Sequence, residues 1–187
     1  MTKEVSLRRP DRMYMKITGA DRSGEAFYDG RAVSLVEGAQ KMYAQVNVPP
    51  TIDETLDLLA VRFDVPMPMA DFMYSDPYES VMTPHTRGQY IGEESINGST
   101  CHHLSFQQTL LDWQIWIAAG DRPLPCQLEI LYKNDEGQPR TRLTFSDWNL
   151  GVPLDDAIFA FTPPADYQRI RIVGRSASEE PSEGVTQ

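Results

Sequence analysis

The chain has 187 residues, a net charge of −10 and an apolar fraction of 41%, enough for one domain to bury a core without staples. The acidic balance speaks against sequence-independent nucleic-acid binding, which needs a basic surface. The apolar runs are far too short for a membrane-spanning helix, and the opening MTKEVSLRRPDRMYM lacks the apolar segment of a secretion signal.

Met13, Met15 and Ile17 alternate with Arg12, Tyr14 and Lys16, which predicts a first strand. Glu25–Tyr28 leads into Asp29-Gly30, a strong hairpin signal. Val33, Leu35, Met42, Ala44 and Val46 continue the meander up to Pro49-Pro50. Thr51 then reads as a helix N-cap, with Glu54 three residues on as a capping box. Ile52, Leu56, Leu59 and Phe63 share one helical face. A second short helix is expected around Pro68–Tyr74, within a segment rich in Pro, Met and aromatics that runs from Pro66 to Pro84. Gln89–Glu93 and the turn Asn97-Gly98 return to strand.

From Cys101 to Asn149 the sequence spells four consecutive strands. His102, Leu104 and Phe106 oppose His103, Ser105 and Gln107. Trp113, Ile115 and Ile117 oppose Gln114, Trp116 and Ala118. After the turn Gly120–Pro123, Cys126, Leu128, Ile130 and Tyr132 oppose Gln127, Glu129, Leu131 and Lys133; Asn134–Gly137 then turns the chain towards Thr141, Leu143 and Phe145. Short turns imply an antiparallel meander of about seven to ten strands, interrupted by a helical insertion at Thr51–Tyr74. Ser176–Gln187 is small, polar and acidic, and is expected to be a disordered tail.

The polar residues converge on no recognisable catalytic set; there is no GxSxG and no motif that places a Cys-His pair. Asp155-Asp156 suits a cap or turn better than acid–base work. His102 and His103 are strand neighbours, so they point to opposite faces and cannot easily share an ion. Met67, Met69, Met73, Met82 and His85 have some logic as a soft Cu(I) site, but packing under the helices is preferred, and no metal or cofactor is assigned. Arg8, Arg9 and Arg12 are read as a solvated strand face in preference to an anionic head-group site. Cys101 and Cys126 fall on either side of the stretch around Ile117–Ala119. Two inter-strand steps of about 4.8 Å place them roughly 10 Å apart, beyond the about 7 Å that a disulfide allows, so two free thiols are expected.

LRRPDRMYM, then FYDG, a helix, HLSF, DWQIWI, RPLPCQLEI and finally DDAIFAFTPPADYQRI resemble the LolA/LolB-like superfamily of bacterial lipoprotein carriers. Within that superfamily the likeness is to an uncharacterised family of predicted periplasmic proteins, and it spans roughly Glu4 to Ile170. The resemblance implies a mainly β α+β fold: a curved, open antiparallel half-barrel with a helical lid, here over residues 1–175. It also implies that the N-terminal part of the family domain, with its signal peptide, is missing. The sheet edge so exposed predicts a homodimer or aggregation. Localisation in the periplasm follows from the resemblance.

Met13, Met15, Phe27, Leu56, Leu59, Phe63, Met69, Phe72, Met73, Phe106, Trp113 and Trp116 are the candidate lining of an apolar cavity between sheet and helices. A filled core is the competing reading of the same residues. The function expected is therefore a non-enzymatic cell-envelope protein that binds a lipid, acyl chain or lipidated partner in an apolar groove. The alternative is a structural or protein-interaction module with a filled core and no ligand.

Overall fold

A computed structural model describes residues 1–20, 22–63, 69–82 and 85–172. The expected tail at 176–187 and Met67 lie outside them. In chain order the elements are strands β1 (Thr2–Arg8), β2 (Arg12–Thr18), β3 (Gly24–Tyr28), β4 (Ala32–Glu37) and β5 (Met42–Asn47), helix α1 (Ile52–Phe63), a 3-10 turn at Ala70–Phe72, and helix α2 (Pro77–Val81). Then follow β6 (Arg87–Ile96), β7 (Ser99–Gln107), β8 (Leu111–Ala118), β9 (Pro125–Tyr132), β10 (Arg140–Thr144), a 3-10 turn at Asp156–Ile158, and β11 (Gln168–Arg169). The chain forms two compact units, Met1–Pro77 with the segment from Pro153 onward, and Tyr78–Val152.

The fold is mainly β, as the alternation predicts, but it is not one sheet of seven to ten strands. Eleven strands among the described residues form a six-stranded sheet in the order β1-β2-β3-β4-β5-β11 and a five-stranded sheet in the order β10-β9-β8-β7-β6, neither closed into a barrel. The division follows from the helices between β5 and β6. The free edge of β5 is taken instead by β11, the single parallel pairing among the described residues.

In the first unit, β1 is a strand that the sequence reading did not anticipate. Val5 pairs with Met15 and Leu7 with Met13, and Arg8 closes opposite Arg12, so Arg9-Pro10-Asp11 is a tight turn with a cis Arg9–Pro10 bond. Asp29 shapes the next hairpin by accepting from the backbone N–H of Arg31 and Ala32, each at 2.9 Å. Gly30 sits there at φ +84°, a left-handed conformation that favours glycine, and a Cβ on it would displace the Arg12 guanidinium, 2.5 Å away. The expected cap is present: Thr51 Oγ1 accepts from the Glu54 N–H at 3.3 Å and donates to the Glu54 carboxylate at 2.8 Å. Ile52 and Leu56 drive α1 into Met13, Met15, Tyr28, Val33 and Met73, and this is the unit's core.

The second unit is the predicted four-strand run preceded by β6. Asn97 (φ 49°) and Gly98 (φ 82°) make the two-residue turn into β7, both left-handed as such a hairpin demands. Alternation gives two unlike faces. One carries Leu104, Phe106, Trp113, Ile115, Leu128 and Ile130; the other carries His103, Gln114, Trp116 and Glu129.

The thiol expectation is overturned. Cys101 and Cys126 form a disulfide, with Cα atoms 7.0 Å apart. The two do lie on either side of β8, with Cys101 opposite Ala118, but the sheet there is not regular. In the structure Trp116 pairs with Gln127 but Ile117 pairs with Pro125, so Cys126 is the extra residue of a bulge. A bulge bends and twists its strand. Here it accompanies a cysteine separation well short of two inter-strand steps, and the small Ala118 packs against the cluster that holds both cysteines.

Candidate functional site

The twelve expected cavity residues are shared between the two units and, within each, between the two faces of its sheet. Met13, Met15, Leu56 and Met73 are packed against one another in the first unit with 7% or less of their surface exposed. Met69 packs at the edge of this cluster, and Leu59, Phe63 and Phe72 are half-buried. Phe27 lies on the opposite sheet face, because it pairs with Tyr14 where Met13 pairs with Tyr28. There it touches Tyr14 and Phe161, and Phe161 reaches Tyr43. In the second unit Phe106 stacks on Trp113 at 4.0 Å between ring centres. Trp116, three residues along the same strand from Trp113, faces the other way.

The arginines of the RRPDR segment are engaged internally. Arg8 donates to the Leu154 carbonyl at 2.7 Å and to Asp156, and lies over the ring of the fully buried Phe159. Arg9 reaches the carbonyls of Met73 (3.3 Å) and Tyr74 (2.5 Å), and Arg12 pairs with Asp11 at 2.7 Å. Each has a partner within the unit, while Arg9 stays exposed and the Arg8 side chain 40% exposed, so the set is partly solvated and is not an open anion site. Asp155 has the capping role expected of it, accepting from the Ala157 N–H at 2.8 Å.

A polar row crosses the second sheet. Trp116 Nε1 donates to Glu94 at 3.0 Å, and His103 Nδ1 lies 2.9 Å from the same carboxylate. These two contacts hold the Glu94 carboxyl below the usual glutamate range. His103 Nε2 lies 2.7 Å from Gln114 Oε1, and its ring stacks on Trp116 at 4.2 Å. Opposite Gln114, the buried Glu129 accepts from Arg142 at 2.6 and 2.9 Å and from Arg140 at 3.1 Å. The Arg142 contact chiefly depresses its carboxyl pKa. Both nitrogens of His103 are engaged, so the row is a mutually satisfied network that fixes side chains. The copper set divides: Met69 and Met73 belong to the first unit, Met82 and His85 to the second. Among the described residues no group of three or more His, Cys, Asp or Glu is placed to hold a metal ion.

Among the described residues, the second unit presents a concavity beside the disulfide. A cleft of about 390 Å³ is lined by Ile96, Ala118 and Cys126, by Leu124 and Pro125 from the β8–β9 loop, and by Phe145 and Trp148, whose rings stack at 5.8 Å; Asn97, Ser99, Ser146 and Arg122 supply the polar groups. The lining is tied down. Trp148 Nε1 donates to the Pro125 carbonyl at 2.9 Å, and the Phe145 N–H to the Cys126 carbonyl at 2.8 Å. The sequence reading missed Arg122, Phe145 and Trp148 as site residues. Their signal was an aromatic pair three residues apart just where strand alternation ends, which acquires meaning only once the disulfide draws β7 and β9 together.

A family described as "Predicted periplasmic protein (DUF2092)" matches residues 1–173, and the chain belongs to that family, whose function is unknown. No curated protein matches it. Among the described residues no helix is long and apolar enough to cross a membrane.

Proposed function

We propose that this member of the predicted periplasmic family is a non-enzymatic binding protein of the bacterial cell envelope, holding an acyl chain, free or on a lipidated partner, in an apolar groove. The observation that carries this reading is the cleft of about 390 Å³, whose lining mixes apolar and aromatic residues with polar ones and is held by hydrogen bonds from Trp148 and Phe145. Small-molecule sites are concave, mostly apolar and largely pre-formed, with a few polar groups that set orientation. The resemblance to lipoprotein carriers, open half-barrels around an apolar cavity, supports the same reading. Burying about ten methylenes is worth roughly 8 kcal/mol before association costs, which leaves micromolar affinity attainable.

The second reading, a protein-interaction module without a ligand, is favoured by one observation: Met13, Met15, Leu56 and Met73 fill the first unit where a cavity was expected. Native mass spectrometry of protein purified from a periplasmic extract separates the two. A co-purifying mass of lipid size supports the binding protein. Bare protein, with no change in tryptophan fluorescence on titration with a fatty acid or lysolipid, supports the interaction module.

A further inference from the structure

We propose that the cleft beside the Cys101–Cys126 disulfide selects an amphiphile with a single negative charge, a medium-chain carboxylate, and that Arg122 receives its head group. This rests on the apolar-ligand reading and names the ligand's class. The volume sets the first limit. Small-molecule pockets run from about 300 to 1,000 Å³, and a cleft of about 390 Å³ lies near the bottom of that range, which suits one chain of medium length and not a diacyl lipid.

Charge sets the second limit. The chain carries 27 acidic residues against 17 Lys and Arg, yet the ionisable side chain that lines this cleft is a cation. The guanidinium of Arg122 has no hydrogen bond or ion pair among the described residues; others such as Arg31 and Arg169 share that, but of the arginines only Arg122 is on the lining of this cleft. A guanidinium matches a carboxylate with two parallel hydrogen bonds. Ser99 and Ser146 stand on the same lining, although the Ser146 hydroxyl donates to Asp147 at 2.8 Å. Asp147 lies between two lining residues, and Asp121 is the sequence neighbour of Arg122. The net charge of −10 works against a second negative charge on the ligand, so a monoanion is favoured over a dianionic phosphate monoester.

Geometry orients the ligand. The apolar chain would lie over Ala118 and Cys126 against the Phe145 and Trp148 rings, with its head at the exposed Arg122. Because Trp148 and Phe145 are already bonded to the backbone of Pro125 and Cys126, little ordering remains to be done on binding.

The test uses the full, oxidised chain at neutral pH, titrated with decanoate, decanol and decyl phosphate, and followed by calorimetry and tryptophan fluorescence. Decanoate is expected to bind at least about ten-fold more tightly than decanol, the order of one charge-assisted hydrogen bond, and more tightly than decyl phosphate. Arg122→Gln, at an exposed position that leaves the fold intact by circular dichroism, should remove the decanoate advantage and leave decanol unchanged. Arg122→Lys should restore part of it. Asp147→Asn, which keeps a residue tolerant of the positive φ of 58° found there, should tighten decyl phosphate. Equal binding of decanoate and decanol, or an advantage that survives Arg122→Gln, overturns the charge selection while leaving the apolar site standing. Binding of none of the three by folded protein overturns the site as well.

Discussion

Removing the disulfide is the sharpest perturbation of the second unit. The bridge joins residues 25 apart in sequence, across β7, β8 and β9. Loop-closure entropy for about 25 residues gives roughly 3.5 kcal/mol at 25 °C, by constraint of the unfolded chain. The double variant Cys101→Ala/Cys126→Ala should therefore be less stable by about 3–4 kcal/mol. In urea, with a slope of about 2 kcal/mol/M, the midpoint falls by about 1.5–2 M. The cleft should suffer with it, because Cys126 lines it and ties Phe145 through its carbonyl. Equilibrium unfolding by circular dichroism measures the first effect, and thiol labelling of denatured, non-reduced wild type checks its premise. Two free thiols per chain, or an unchanged midpoint, would refute the reasoning.

In the first unit, Leu56→Ala removes a side chain that is 1% exposed in the Met13–Met15–Met73 cluster, and should cost about 2–5 kcal/mol. Leu59→Ala, one turn on and only half-buried, should cost clearly less; equal costs would contradict the packing described. Glu129 has a depressed pKa, so its contribution to stability is complete above the ordinary glutamate value of about 4.3 and is lost as pH falls through the lower folded value. The stability difference between wild type and Glu129→Gln, followed by thermal melts from pH 7 to pH 3, should shrink below about pH 4; a constant difference over that range would show that Arg142 and Arg140 do not act on Glu129 as a charge.

Much of the strand order was legible because the chain keeps the period-2 pattern with little interruption from Met13 to Val46 and from His102 to Phe145. The turns were equally legible where chemistry forces them, at Asp29-Gly30 and Asn97-Gly98, and so was the Thr51–Glu54 cap. What escaped depended on contacts between distant residues. β1 alternates as Lys3, Val5 and Leu7 against Glu4, Ser6 and Arg8, but only pairing with β2 marks it as a strand. The strand that takes the free edge of β5 is β11, two residues whose partner lies over a hundred positions earlier. The disulfide was misjudged by a single bulged residue, Cys126, which no pattern of apolar residues reveals. Periodicity also separates residues that composition groups together. Phe27 and Trp116 belong chemically with Met13 and Trp113, yet parity puts each on the opposite face of its sheet. The cleft was hidden for the same reason, since its lining joins the β6–β7 turn, the β8–β9 loop and the segment after β10.

The most direct test of the central claim is a chemical-shift map of the isotopically labelled chain titrated with decanoate. The three indole N–H signals, from Trp113, Trp116 and Trp148, report on different surfaces. The account predicts the largest shifts at the Trp148 indole and at the amides of Ile96, Ala118 and Leu124, the cleft beside the disulfide. Shifts centred instead on Leu59 and Phe63 of α1, or no shifts at any decanoate concentration below micelle formation, would contradict it.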